Sequence, residues 1–155
     1  MKKYIGTKMV MAEPAFRLTG RDGHQHIVAE CPVCLEGEVV ESGYRVLYED
    51  GYQSWSPKEV FEKAYRETSG LSFGLTIEAV RMGYAIARRG WNGKRQYVEL
   101  ADGISYRNSK GNIVNVNHDS IGNKAFAFVG TSGVQLGWLA SQADMLADDW
   151  YILER

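Results

Sequence analysis

This chain of 155 residues lacks an excess of positive or negative charge, and its formal net charge is −1. A balance this close to neutral gives no general attraction to DNA, RNA or an anionic membrane, so any anion must be bound by a local arrangement of side chains. Long apolar runs are also missing, since no stretch approaches the roughly 18 residues of a membrane span. The two lysines near the N-terminus precede no apolar stretch, and a secretory signal is therefore not expected.

Cysteine is scarce, with only two residues, Cys31 and Cys34, in one CPVC stretch. This is too few for a disulfide scaffold and indicates a reducing, intracellular location. His24 and His26 precede the pair, so four side chains of the types that bind zinc lie close in the sequence. However, the spacing is shorter than in a zinc finger and no second cysteine pair follows. A loop with two free thiols is the simpler interpretation, and we expect no metal or other cofactor.

Sequence signatures of catalysis are missing too, because the chain has no P-loop, no GxGxxG stretch and no serine in a glycine elbow. His118 is the only histidine outside the HxH stretch, and its neighbour Asp119 is poorly placed to orient it. Asp144, Asp148 and Asp149 could form a carboxylate pair, but capping a helix or facing solvent explains them equally well. We therefore predict no catalytic residues and no enzymatic activity.

The elements that can be predicted are short strands and helices without a βαβ rhythm. In the first half, alternation predicts a strand and a hairpin turn at Asp50-Gly51, followed by a helix capped by Ser56 with Glu59 completing a capping box. This half is expected to form two or three strands with one helix.

In the second half, apolar spacing predicts a mostly buried helix from Leu75 to Met82 that ends at Gly83. Strands are then predicted in YAIARR, RQYVELA, NIVNVN, KAFAFVG and WYILE, and Asp102-Gly103 and Lys110-Gly111 mark turns around ISYRNS. Ser141 is expected to cap a short helix, with Asp144 as its capping-box partner. The predicted fold class is α+β, with a mainly antiparallel sheet and short packed helices in residues 69–155 and a small α+β domain in residues 1–68.

The stretch RRGWNGK carries the strongest indication of binding, because it places Trp91 in a glycine turn beside Arg89 and other cations. A turn whose tryptophan folds onto the core is the simplest alternative. However, Trp138 and a helix start at Ser141 follow later in the chain. Aromatic faces, cations and free backbone N–H groups together suit a nucleobase and its phosphates.

Two stretches in the second half resemble a known family. FGLTIEAVRMGYAIARRGWNGK and WLASQADMLADDWYILE, within about 72–154, are similar to a small phage domain whose members include the second Thoeris anti-defence family. The resemblance implies a sponge that sequesters a cyclic ADP-ribose signal made by host TIR-domain enzymes without cleaving it. It also implies a homotetramer in the host cytoplasm with ligand pockets between subunits, and binding of cyclic oligonucleotides by some members. No polymer of DNA or RNA is expected as a partner.

The resemblance also implies which residues bind the ligand. Stacking is expected from Trp91, pyrophosphate binding from the helix start at Ser141, and contacts to ribose or base edges from Asn92 and Asp144. The full predicted set, including the cation of the turn and a weaker candidate for the pocket wall, is Phe73, Arg89, Trp91, Asn92, Trp138, Ser141, Gln142 and Asp144.

Parts of the chain fall outside this resemblance. Residues 101–137 match no recognised motif, although loops there would shape a pocket wall. MKKYIGTK, AEP and YEDGYQSWSPKEVFEKAY in the first half resemble a small accessory domain found at the start of various phage proteins, for which no function follows. Two other functions remain open: a nucleotide hydrolase or transferase that uses Asp144 or His118, and a structural interaction domain in which Trp91 is only core.

Overall fold

In the computed structural model, which describes residues 1–3, 5–91, 95–116 and 124–154, the chain divides into two units. The N-terminal unit is Met1–Arg66 and the C-terminal unit is Glu67–Arg155. Both contain antiparallel strands and short helices, so the α+β class with a mainly antiparallel sheet is confirmed.

The N-terminal unit contains a four-stranded antiparallel sheet in the order β2-β1-β3-β4. Its strands are β1 (Met11–Thr19), β2 (Gln25–Val28), β3 (Val39–Leu47) and β4 (Gln53–Pro57), and helix α1 (Lys58–Ala64) follows. The expected hairpin turn is present between β3 and β4, where Gly51 has a φ of +83°. Four strands form rather than two or three, because β1 pairs with β3 along nine residues of weak alternation.

The predicted cap of α1 is wrong. Ser56 lies in β4, paired with Tyr44, and the residue at the N-cap position is Pro57, which makes no side-chain capping bond. The extended backbone of β4 continues to the helix start, so sheet pairing takes priority over the local capping pattern. Nearby, the Trp55 ring lies over Gly43, where an added Cβ would be 2.7 Å from Cε2, and Arg17 stacks at 4.0 Å from the ring centroid.

The C-terminal unit is organised around a five-stranded antiparallel sheet in the order β10-β9-β6-β5-β11, with a separate β7-β8 hairpin. Its elements are α2 (Phe73–Arg81), β5 (Ile86–Arg88), β6 (Tyr97–Ala101), β7 (Ile104–Arg107), β8 (Ile113–Val116), β9 (Ala125–Gly130), β10 (Gly133–Leu136), α3 (Gln142–Met145) and β11 (Trp150–Ile152). The five predicted strands are confirmed, and the stretch between the two predicted turns forms β7. Strand β10 was not predicted, because its glycine and mixed residues resemble a loop and it pairs with β9 over only four residues.

Helix α2 packs on the sheet through a narrower face than the sequence predicts. Its buried residues are Thr76, Ala79 and Val80, whereas Leu75 and Met82 are 39% and 48% exposed. Residues three and four apart share a helix face, and apolar type alone does not reveal which face meets the sheet. The helix ends as expected at Gly83, which has a φ of +96°.

The core of the C-terminal unit lies between α2 and the sheet, and Trp150 is its largest fully buried residue. Met145, another large apolar residue of the second motif, is by contrast 47% exposed. The buried residues are Leu71, Ala79, Val80, Ile86, Val98 and Trp150.

Candidate functional site

Pairing of β5 with β11 brings the two motifs of the C-terminal unit together. In this register Arg88, the last residue of β5, lies opposite Trp150, the first residue of β11. The glycine turn that follows Arg88 therefore lies beside α3 and the loop to β11. Strand pairing over three residues thus joins segments that are more than 50 positions apart in sequence.

An aromatic cluster forms where the motifs meet. The Trp91 ring centroid is 5.3 Å from those of Phe128 and Trp150 and 6.0 Å from that of Trp138, and all three contacts are nearly perpendicular. Phe73 joins from α2, 5.5 Å from Trp150. Trp91, Trp138 and Phe73 are half-buried, so each both packs and keeps part of its surface open to solvent. Edge-to-face contacts of this kind each stabilise by about 0.5–1.5 kcal/mol beyond burial.

The Asp144 carboxylate is the centre of a hydrogen-bond network beneath this cluster. Its Oδ1 accepts from Arg88 Nη1 at 2.7 Å and from Trp91 Nε1 at 3.0 Å. Its Oδ2 accepts from the Ser141 backbone N–H at 3.0 Å and from Ser141 Oγ at 2.7 Å. A carboxylate has about four lone-pair sites, so protein donors alone fill all of them.

The predicted capping box of α3 is confirmed by this geometry, because Ser141 Oγ also accepts the Asp144 backbone N–H at 3.1 Å. The helix has only four residues, and the side chains of the cap residue Ser141 and the third helical residue Asp144 each accept the backbone N–H of the other. Gln142, the first helical residue, is exposed. The helix start at Ser141, to which the pyrophosphate was assigned, is thus already committed to internal bonds at Ser141 and Asp144.

Asp149 anchors the glycine turn from the other side. It accepts from Arg88 Nε at 2.8 Å and from the Gly90 backbone N–H at 2.6 Å. A Cβ at Gly90 would lie 2.9 Å from Asp149 Oδ2, so a larger residue there would have to displace this carboxylate. Arg88 therefore bridges two carboxylates and fixes the turn on which Trp91 lies.

The network also sets the charges of these groups. Burial alone would raise the pKa of Asp144, but hydrogen bonds from Ser141, Arg88 and Trp91 outweigh burial and lower the pKa from 3.8 to about 2. For Asp149, burial likewise opposes the bonds from Arg88 and Gly90, which lower its pKa. Both carboxylates are therefore ionised near neutral pH.

The structure brings together most, but not all, of the predicted ligand-binding residues. Trp91, Trp138, Ser141 and Asp144 meet in the cluster and its network, with Phe73 at the edge beside Trp150. Arg89 is exposed and lies instead in a groove with residues of β11. Asn92 lies outside the described residues.

Three residues of the site were not predicted from the sequence: Arg88, Phe128 and Asp149. Arg88 could have been found from the alternation of β5, since a strand with Ile86 inward also places Arg88 inward. Asp149 precedes the buried Trp150 and belongs to a run of acids that stands out in the sequence. However, its partner Arg88 is 61 residues away, and no local pattern links the two. Phe128 depends on the pairing of β9 with β6, which no local pattern specifies.

The candidate metal ligands are not gathered into a site. Cys31 and Cys34 are exposed and contact only carbonyl oxygens of their own loop. Throughout the described ranges, no three His, Cys, Asp or Glu side chains are placed to hold one metal ion. His24 and His26, which lie in these ranges, therefore form no such group with the cysteines. His118 lies outside the part of the chain that the structure describes.

Comparison with known proteins agrees with the resemblance noted in the sequence. Residues 71–153 match the model of a family described as the Thoeris anti-defense 2-like domain. The chain is also 32% identical over 85 residues to a protein of Bacillus phage SP01 named Thoeris anti-defense 2, a match that covers 54% of this chain and 94% of that relative. The matched segment contains the entire aromatic cluster and the Asp144 network. No helix among the described residues is long and apolar enough to cross a membrane.

Proposed function

We propose, since the chain belongs to the Thoeris anti-defense 2-like family, that it is a phage anti-defence protein that inhibits Thoeris by sequestering a signal of the cyclic ADP-ribose type, such as glycocyclic ADP-ribose. It acts in the host cytoplasm and leaves the signal chemically intact. Binding removes the free signal from solution, so the defence is not activated.

One observation supports sequestration rather than catalysis most directly. Asp144, the acid in which an enzymatic function would be sought, accepts four hydrogen bonds from protein groups and has a pKa lowered to about 2. A general acid or base works best when its pKa is near the operating pH and it can reach the substrate. Asp144 meets neither condition, and its role is to position the turn and α3.

The aromatic cluster supplies a surface for the base or ribose of the signal. Trp138 is half-buried and lies two residues after the end of β10, and the exposed Gln142 lies four residues further on. Stacking on an aromatic side chain is worth roughly 1–3 kcal/mol per base. The hydrogen bond to Asp144 holds Trp91, and ring contacts with Trp91, Phe128 and Trp150 hold Trp138, before the ligand arrives. This order lowers the entropic cost of binding.

The experiment that tests sequestration mixes the purified chain with a smaller molar amount of glycocyclic ADP-ribose, and separates free from bound ligand by filtration. We expect the filtrate to be depleted of ligand and heat denaturation to return it with unchanged mass and retention time. Trp138→Leu, which retains apolar volume but loses the stacking surface, should weaken binding about tenfold or more. Tyr106→Leu, which alters an exposed aromatic of β7, is the matched control. A new product would show an enzyme, and an undepleted filtrate would refute the proposal.

Self-association of the chain, as a homotetramer, is part of the proposal. Strand β10 lies at one edge of the five-stranded sheet, and all four of its residues are exposed. Val134, Leu139 and Leu146 are 63%, 88% and 82% exposed, and residues 125–143 contain no charged side chain. An uncharged, apolar edge strand favours pairing with another chain. Light scattering is expected to give about four times the chain mass of 17.4 kDa, and a mass equal to one chain would contradict this.

A further inference from the structure

An open groove of about 360 Å³ lies on the C-terminal unit, apart from the aromatic cluster. Small-molecule sites commonly have volumes of roughly 300–1,000 Å³. The groove is formed by the segment before α2, the residue after β5, and the end of β11 with the residues that follow. Its lining residues are Thr68, Ser69, Arg89, Tyr151, Ile152 and Glu154.

The two consecutive arginines have different environments. Arg88 is committed to Asp144 and Asp149, and its side chain is only 15% exposed. Arg89, the next residue, lines the groove and is exposed. Its guanidinium makes no hydrogen bond or ion pair with any residue in the described ranges, so it is available to an anion. Arginine is well suited to phosphate, because its planar fork can donate two parallel hydrogen bonds.

The walls of the groove are held by the backbone and need no ligand to form. The Ile152 N–H donates to the Thr68 carbonyl at 2.9 Å, and the Arg89 N–H donates to the Asp149 carbonyl at 3.3 Å. Leu71 and Trp150 exchange a further pair of backbone bonds beside them. The groove is therefore anchored to the same strand pair that builds the core.

The polar groups of the groove suit a ligand that carries both a phosphate and hydroxyls. The side-chain hydroxyls of Thr68 and Tyr151 make no hydrogen bond with another described residue, whereas Ser69 Oγ donates to Glu67 at 3.2 Å. Glu154 adds a carboxylate that repels a bare anion but accepts hydrogen bonds from sugar hydroxyls. One cation, two hydroxyls and one carboxylate together match a ribose phosphate better than inorganic phosphate.

We propose that the Arg89 groove binds one ribose-phosphate part of the nucleotide signal, with the Arg89 guanidinium on the phosphate and the Glu154 carboxylate on a ribose hydroxyl. The identity of the complete ligand rests on the function proposed above. The groove itself is defined by the residues that line it, none of which belongs to the aromatic cluster.

The test uses the full chain labelled with nitrogen-15 and two probes, ribose 5-phosphate and ribose. We expect ribose 5-phosphate to shift the amide signals of Thr68, Ser69 and Tyr151 in a saturable way, with no such shift from ribose. Arg89→Gln should abolish these shifts and weaken binding of glycocyclic ADP-ribose about tenfold or more. Arg81→Gln, which removes an exposed arginine of α2 paired with Glu78, is the matched control and should change neither result.

The outcomes separate this proposal from the proposed function. If glycocyclic ADP-ribose binds the wild type and Arg89→Gln equally, the groove proposal is wrong while sequestration stands. If ribose 5-phosphate binds the groove but the cyclic nucleotide does not bind the chain, the ribose-phosphate site stands and the proposed signal is wrong. If neither probe nor nucleotide binds, both proposals are wrong.

Discussion

Replacing Trp91 with alanine is expected to lower the free energy of unfolding of the C-terminal unit by about 3 kcal/mol, near the lower end for a packed aromatic residue. The indole contacts Phe128, Trp138 and Trp150 and donates from Nε1 to Asp144. Alanine removes all of these contacts and leaves one acceptor of a buried carboxylate unfilled. Denaturant unfolding followed by circular dichroism measures the change.

One further variant at this position separates the ring packing from the indole hydrogen bond, and a variant at an exposed position serves as the control. Trp91→Phe retains an aromatic ring but lacks the indole N–H, so it should recover most of the packing while losing the bond to Asp144. Tyr106→Ala, which truncates a residue that is 52% exposed, should change stability by less than about 0.5 kcal/mol. If Trp91→Ala is as stable as the wild type, the cluster is not a framework and Trp91 is free to serve only the ligand.

Replacing Asp144 with alanine is expected to have an effect of similar size, about 3 kcal/mol, for an electrostatic reason. The carboxylate is only 12% exposed, and it neutralises Arg88 while accepting from Trp91 and Ser141. Removing one partner of such a pair leaves the other charge and its donors without full compensation. Asp148→Ala removes an exposed acid four positions further on and should be close to neutral. Equal stability of these two variants would contradict the structural role of Asp144.

Acid should reproduce part of this effect in the wild type. The folded pKa of Asp144, about 2, lies below its ordinary value of 3.8. Its contribution to stability is therefore present above about pH 4 and is lost as the pH falls toward 2. The same fall in pH should destabilise Asp144→Ala less than the wild type.

Local patterns predicted the elements whose stabilising bonds are local. The capping box of Ser141 and Asp144 lies within four residues, and the glycine stop at Gly83 depends only on its own backbone. Both were predictable for that reason. Strands such as β9 could also be recognised, since alternating burial is expressed in consecutive residues.

Features that depend on distant pairing could not be predicted in this way. The cap expected at Ser56 fails because β3 draws that residue into β4, 12 positions from its partner Tyr44. The alternation of β5 indicates that Arg88 points inward, yet no local pattern shows that it meets Asp144 and Asp149 more than 50 positions away. Arg89 is named from the sequence as a ligand cation, but the groove in which it lies forms only when β5 pairs with β11.

The confirmed family and the geometry together change how the motif is understood. Trp91 and Asp144 build and hold the turn, whereas Trp138 keeps part of its surface open and Arg89 is exposed in the groove. Under the function that we propose, the first two residues form the framework and the last two bind the nucleotide.

The measurement that tests this account most directly is a calorimetric titration of the full chain with glycocyclic ADP-ribose, followed by denaturation and chromatography of the recovered nucleotide. The account predicts saturable binding and complete recovery of unaltered ligand. Absence of binding, or recovery of a cleaved product, would contradict it.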